Sequence, residues 1–153
     1  MVPGTFIGIL ILIFAILVFL ALISYSPNDP NFIFPESQQI ENLLGLKGSL
    51  IADMFYQSIG IISLLVPFSL FFTGISITIN KKLVIVIENI FFVILYIIIA
   101  TSFFSIFNID SYWLIINGNE GFVGDFISKT FVADFLKINE KISYYFLILL
   151  TLL

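Results

Sequence analysis

Three groups of residues in this chain have the types and spacing that chemistry needs. Glu88, with Asn89 beside it, sits in a long apolar run, where a carboxylate is the kind of group that relays protons or ions across a membrane. Asp53 and Gln57 are four apart and share one face of a helix, where they can meet a partner or the outer loops. Gly118, Gly121 and Gly124 recur every third residue, as in loops that cradle phosphates, but no strand precedes them and no Lys-Ser or Lys-Thr ends them. The phosphate reading fails there. The sequence has neither His nor Cys, which removes His-ligated haem, disulfides, thiolate nucleophiles and Ser-His catalysis. No catalytic, cofactor or metal site is expected.

The elements that must hold these residues are membrane spans. Hydrophobic residues make up 60% of the chain and charged ones 10%, and the mean hydropathy is +1.17, well outside the soluble globular range. The expected fold is an all-α integral membrane protein, a single domain over residues 1–153. It has four transmembrane helices, the fourth truncated, with helical and loop segments outside the membrane. The spans fall at about 6–23, 59–79, 83–107 and 142–153.

Phe6 to Ile23 has no Lys or Arg before it, exceeds a signal-peptide apolar region, and runs into Ser24-Tyr25-Ser26-Pro27 instead of an Ala-x-Ala site. It reads as a retained span, with Pro3-Gly4 stopping any backward extension. Gly8 and Ala15, seven apart, share a face that either admits a close neighbour or simply meets lipid. Ile59 to Ile79 carries no charge, and Pro67 at its middle predicts a kink that Ser63 or packed helices compensate. Ser63, Ser69, Thr73, Gly74 and Ser76 make it the most polar span. That places it centrally, unless the hydroxyls bond back to their own helix. A single helix from Ser49 to Ile79 would be about 46 Å long, against about 30 Å of hydrocarbon. Its first turns then stand in the headgroup layer or beyond.

Asn80-Lys81-Lys82 is a tight turn holding the one adjacent Lys pair. Short Lys-bearing loops stay on the cytoplasmic side, which puts the N-terminus inside and segments 24–58 and 108–141 outside. Glu88 then lies near the inner boundary, close enough to snorkel or to pair with Lys81 or Lys82, and reads as an interface anchor more than a conductor. Ile142 to Leu153, twelve apolar residues, covers about 18 Å and reads as an incomplete span.

The outer segments have their own signals. Pro27, Pro30 and Pro35 with Asn28-Asp29 favour turns, and Tyr25 fits an aromatic anchor at the membrane boundary. Gln38 to Leu46 reads as a short surface helix that Gly45 and Gly48 interrupt. Phe122, Phe126, Ile127, Phe131 and Phe135 recur at helical spacing, as in an amphipathic helix lying on the membrane or re-entering it. Gly48 and Ala52, four apart, can admit a close neighbour, for which the Gly118 to Gly124 loop is the candidate. Together these segments would cap the bundle. A net charge of −4 without a basic patch predicts no direct nucleic-acid binding.

Three stretches together resemble a known family: ALISYSPNDPNF, NLLGLKGSLIADMFYQSIG, and NGNEGFVGDFISKTF. The most specific parts are Tyr25-Ser26-Pro27-x-Asp29-Pro30 and the series Asn42-x-x-Gly45-x-x-Gly48, Ala52-Asp53, Gln57, Gly60, with Pro67 and Gly74 later. In this hydropathy frame they are similar to the N-terminal four-helix membrane region of FtsK/SpoIIIE-type DNA translocases. The resemblance implies a bacterial inner-membrane anchor that localises a DNA translocase acting in chromosome segregation and cell division. In complete members a linker and a cytoplasmic RecA-like hexameric motor follow. The chain contains no Gly-x-x-x-x-Gly-Lys-Ser/Thr motif, so ATP hydrolysis falls on none of its residues. Implied partners are the lipid bilayer, further copies and division proteins, with no cofactor. The alternative is a small polytopic transporter or pore subunit, which would set ionisable groups at mid-membrane. Here the span centres are apolar or hydroxyl-bearing.

Overall fold

The computed structural model describes residues 3–31, 40–107, 114, 118–129, 141, 144, 145 and 148. Among the described residues the chain is helical, without strands: α1 (Pro3–Ile23), α2 (Gly45–Ile59), a 3-10 segment (Gly60–Leu64), α3 (Leu65–Asn80), α4 (Val84–Phe107) and α5 (Gly121–Ser128). Three stretches are long and apolar enough to cross a membrane: Gly4–Ile23, Gly45–Asn80 and Val84–Ser105. Of the expected fourth span only Tyr144, Tyr145 and Ile148 are described, all helical. The span itself lies outside the described residues, as does the helical pattern from Phe131 to Phe135.

The contacts divide the chain into two compact units, residues 1–55 with 63–93, and residues 56–62 with 94–153. In the first, α1 packs on α3. Lipid is as apolar as leucine, so close backbone approach must supply the attraction. Gly8 and Gly74 provide it: a Cβ on Gly8 would meet the Thr78 hydroxyl and stand 2.8 Å from the Gly74 carbonyl, and one on Gly74 would stand 2.8 Å from Leu12 Cγ. Ala15, Val18, Ala21 and Leu22 of α1 and Ile77 of α3 are buried, while Phe6, Leu10, Ile13, Phe14 and Leu17 stay exposed. Phe19 and Phe68 add an edge-to-face ring contact at 5.5 Å. A polar tie joins α3 to α4, where Asn89 Nδ2 donates to Thr73 Oγ1 at 2.8 Å. Thr73 and Thr78 also donate back to the Ser69 and Gly74 carbonyls, at 2.7 and 2.8 Å.

Three expectations change. The helix begins at Pro3 instead of stopping there, because a first-turn proline has a preset φ and loses no hydrogen bond. Gly45 and Gly48 lie inside α2, and residues 40–44 before them are not helical. Pro67 is the third residue of α3, where first-turn N–H groups lack intrahelical partners anyway. The departure from α geometry lies upstream, at Gly60–Leu64. Two causes converge on it: Gly60 has φ 61°, and Pro67 has no N–H for the Ser63 carbonyl four residues back. The Ser63 hydroxyl does not compensate; it is fully buried and has no hydrogen-bond partner among the described residues.

The second unit centres on a crossing of two glycines. Ile61 N donates to the Asn119 carbonyl at 3.0 Å, and Gly60 (φ 61°) faces Gly121 (φ 64°). A Cβ on Gly121 would meet Gly60 N and stand 2.7 Å from Ile59 N, so neither glycine has room for a side chain. Gly124 lies over α4, where a Cβ would stand 2.9 Å from the Thr101 carbonyl. Ile99 to Ser102 are buried there, and the Thr101 and Ser102 hydroxyls donate back to carbonyls of α4.

Candidate functional site

Two of the sequence motifs meet in the first unit and form one polar brace. Asp29, in the Tyr25–Pro30 turn, is 4% exposed. Its carboxylate accepts from Glu41 N at 2.8 Å and from Asn42 N at 3.0 Å. Charge-assisted bonds of this kind are shorter and stronger than neutral ones. Asn42, itself buried, passes the connection to α1: its Nδ2 donates to the Ala21 carbonyl at 2.8 Å and the Ser24 carbonyl at 3.2 Å. The final carbonyls of a helix have no partner within it, and Asn42 satisfies these. Its Oδ1 accepts from Leu44 N at 3.0 Å, turning the chain into α2. Ser24 Oγ donates to the Leu20 carbonyl at 2.6 Å and accepts from Leu43 N at 3.1 Å.

α2 closes the brace. Ser49 Oγ donates to the Pro30 carbonyl at 2.6 Å, and the Tyr25 hydroxyl donates to Asp53, which is 5% exposed. Burial pushes the Tyr25 pKa up to about 12, reinforced by the Asp53 charge, the bond to Asp53 and the Asp29 charge. The Asn42-x-x-Gly45-x-x-Gly48 spacing follows from this geometry. A Cβ on Gly48 would run into the Asn42 side-chain oxygen and stand 2.6 Å from Leu44 Cβ. The neighbour that Gly48 admits is therefore Asn42. Gly45 starts α2 with φ 64°, and Ala52 is fully buried.

The remaining residues singled out from sequence lie elsewhere. Pro27 is exposed and Pro30 buried in the turn. Gln57 is half-buried on α2. Gly118, with φ 65°, precedes α5, and Gly121 and Gly124 belong to the second unit's crossing. Lys81 ends α3 in the left-handed region, φ 58°, its N–H donating to the Ile77 carbonyl at 2.8 Å. Lys81, Lys82 and Glu88 are all exposed, and among the described residues no ion pair joins them. Among the described residues no cluster of three or more His, Cys, Asp or Glu could hold a metal. The hydrogen bonds of Asp29, Asn42 and Ser49 described above run between the brace's own segments.

Sequence reasoning named Asp29, Asp53 and, as the head of the Asn42-x-x-Gly45-x-x-Gly48 series, Asn42, but gave no part to Ser24 or Ser49. The available signal was Asn42 set three and six residues ahead of two glycines, one of which leaves room for its side chain.

Apolar helices of spanning length, fastened at small residues and at buried polar braces, define a polytopic helical membrane protein. The chain belongs to the family described as the 4TM region of DNA translocase FtsK/SpoIIIE, whose family model matches residues 4–153. Over 53 residues, 35% of the chain, it is 38% identical to DNA translocase FtsK of Rickettsia bellii (strain RML369-C), covering 7% of that protein. Over 67 residues, 44% of the chain, it is 28% identical to DNA translocase FtsK of Rickettsia prowazekii (strain Madrid E), covering 9% of it. The matched part is thus a small fraction of either relative. No solved structure matches.

Proposed function

We propose that this region is the membrane anchor and localisation module of a bacterial FtsK-like DNA translocase acting in chromosome segregation and cell division. It sits in the inner membrane with the N-terminus and the Lys81–Lys82 turn in the cytoplasm. The observation that carries this reading is the family match over residues 4–153, which falls on a chain of apolar helices whose sequence contains no phosphate-binding loop. DNA pumping belongs to the motor of full-length relatives; the region here holds such a motor at the membrane. The braces support that role, because Asp29, Asn42, Ser49 and Asp53 spend their polar groups on fixing one helix to the next. Further copies and division proteins are the partners this role implies.

The test is a fusion of residues 1–153 to a fluorescent protein, expressed in dividing bacteria. Retention in the membrane after an alkaline wash, with enrichment at mid-cell, is the expected result. Even distribution around the envelope removes the localisation role and leaves the anchor, and recovery in the soluble fraction removes both.

A further inference from the structure

The second unit carries a feature that anchoring does not use. α5 buries Gly121 and Gly124 against Gly60 and Thr101, and turns Phe122 and Phe126 outward. Those two rings are 59% and 60% exposed, stacked with centroids 6.3 Å apart. Beside them the half-buried Asp125 and the exposed Lys129 form an ion pair at 2.7 Å, so this flank of α5 carries no net charge. Two large aromatics held outward by a backbone crossing need an apolar medium, and the geometry indicates which one.

Counting along α4 fixes the level at which α5 is fastened. From Val84 forward to Thr101 is seventeen residues of α4, about 26 Å. The Thr101 attachment point therefore falls near the C-terminal end of the candidate span Val84–Ser105, across a hydrocarbon layer about 30 Å thick. The surface of α4 just before Thr101 is already lipid-facing, with Ile94, Leu95, Tyr96 and Ile98 exposed, and α5 continues that surface sideways.

We propose that α5 is an interfacial foot. It lies at the membrane boundary by the C-terminal end of α4, with Phe122 and Phe126 inserted among the upper acyl chains and the Asp125–Lys129 pair in the headgroups. Aromatic side chains favour that boundary, short amphipathic helices bury their apolar face there, and the lysine stem reaches outward from it. The foot sets the depth of the Gly60–Gly121 crossing. The occupant of the Phe122–Phe126 surface is lipid.

The chain has one Trp, Trp113, so a Trp113→Phe background permits a single reporter. Phe126→Trp, and separately Phe122→Trp, are placed in the full chain reconstituted into phosphatidylcholine–phosphatidylglycerol vesicles, with Phe91→Trp in α4 as the mid-span reference. The expected result at either α5 position is blue-shifted emission, loss of most fluorescence to lipids brominated just below the glycerol, less loss to lipids brominated near the chain ends, and little loss to aqueous iodide. Strong iodide quenching at both positions places α5 in water and overturns the proposal. Protection from both iodide and bromolipid, which marks a second copy or another protein surface, overturns it as well.

Discussion

Asn42 Nδ2 donates to the carbonyl of Ala21 at 2.8 Å, across 21 positions of sequence. The bond spends an amide of the turn before α2 on the last turn of α1, and the Asp29 carboxylate holds the Asn42 backbone from the other side. A buried acceptor left without its donor costs about 1–3 kcal/mol. Asn42→Ala is therefore expected to destabilise the chain by about that amount, read as a fall in the thermal midpoint in detergent micelles. An unchanged midpoint would remove the brace as a stabilising element.

Gly48 and Asn42 occupy one space. Gly48→Ala is expected to destabilise by about 1–3 kcal/mol, the range for overpacking a filled site, because the new Cβ meets the Asn42 side-chain oxygen. In the double variant Asn42→Ala, Gly48→Ala the clash with Asn42 is gone and only that with Leu44 Cβ remains, so the cost falls short of the sum of the two single changes. Strict additivity in the cycle would mean that the two side chains do not compete.

Tyr25 reports on the same brace through pH. Its pKa is raised from 10.0 to about 12 by burial and by Asp53, so the protonated hydroxyl is favoured by folding. The stability it contributes is complete below pH 10 and is lost as pH rises from there through about 12. Tyrosinate absorbance, taken as the difference between the parent chain and Tyr25→Phe, should titrate at this high pH and drop towards pH 10 on Asp53→Asn. Titration of Tyr25 near pH 10 in the parent would mean that its hydroxyl is not held by Asp53.

The spans were legible because hydrocarbon thickness imposes a length on any uncharged run. Phe6 to Ile23 and Leu83 to Phe107 match α1 and α4 to within a few residues. Gly8 was legible too as a point of close approach, a small residue being the one device that lets helices touch in lipid. The brace was visible only as two separate motifs, since a hydrogen bond between Asn42 and Ala21 leaves no periodicity in either segment. Pro67 announced a break without saying on which side it falls. That was decided by Gly60, whose positive φ goes with the Asn119–Gly121 packing, a relation between residues some sixty positions apart.

The buried Ser63 hydroxyl is a residual cost at that break. Among the described residues it has no partner, so Ser63→Ala removes an unsatisfied group while keeping the shape. The expected change is neutral to stabilising, up to about 1–3 kcal/mol. A loss of stability on this substitution would show that the hydroxyl is bonded in the membrane.

The two glycines of the second unit should separate from their neighbour Gly118. Gly121→Ala combines a positive φ, about 1–2 kcal/mol for an L-residue, with collision against the backbone of Ile59 and Gly60. Gly118→Ala shares the φ but meets only the Glu120 side chain, which can move away. Gly121→Ala is thus expected to lower the thermal midpoint clearly further than Gly118→Ala. Equal effects would mean that conformation alone, not the crossing, requires glycine at position 121.

Lys81 holds a left-handed conformation, φ 58°, that glycine would adopt without strain. Lys81→Gly should therefore stabilise the α3–α4 turn by about 1 kcal/mol while removing one of the two charges on which the proposed orientation rests. Geometry and topology then pull apart in one substitution. The chain has no native cysteine, so single cysteines report orientation cleanly, and the exposed Asn28, Lys82 and Lys129 are better positions than Asp29, which is buried in the brace. An impermeant thiol reagent applied to intact cells should label cysteines at 28 and 129 and leave one at 82 untouched. With Lys81→Gly the same pattern should persist, because Lys82 remains. With Lys81→Gly and Lys82→Gln together, a fraction of the chains should invert and position 28 lose part of its labelling. Labelling at 82 but not at 28 or 129 in the parent chain would reverse the proposed orientation, and the cytoplasmic placement of the N-terminus would go with it.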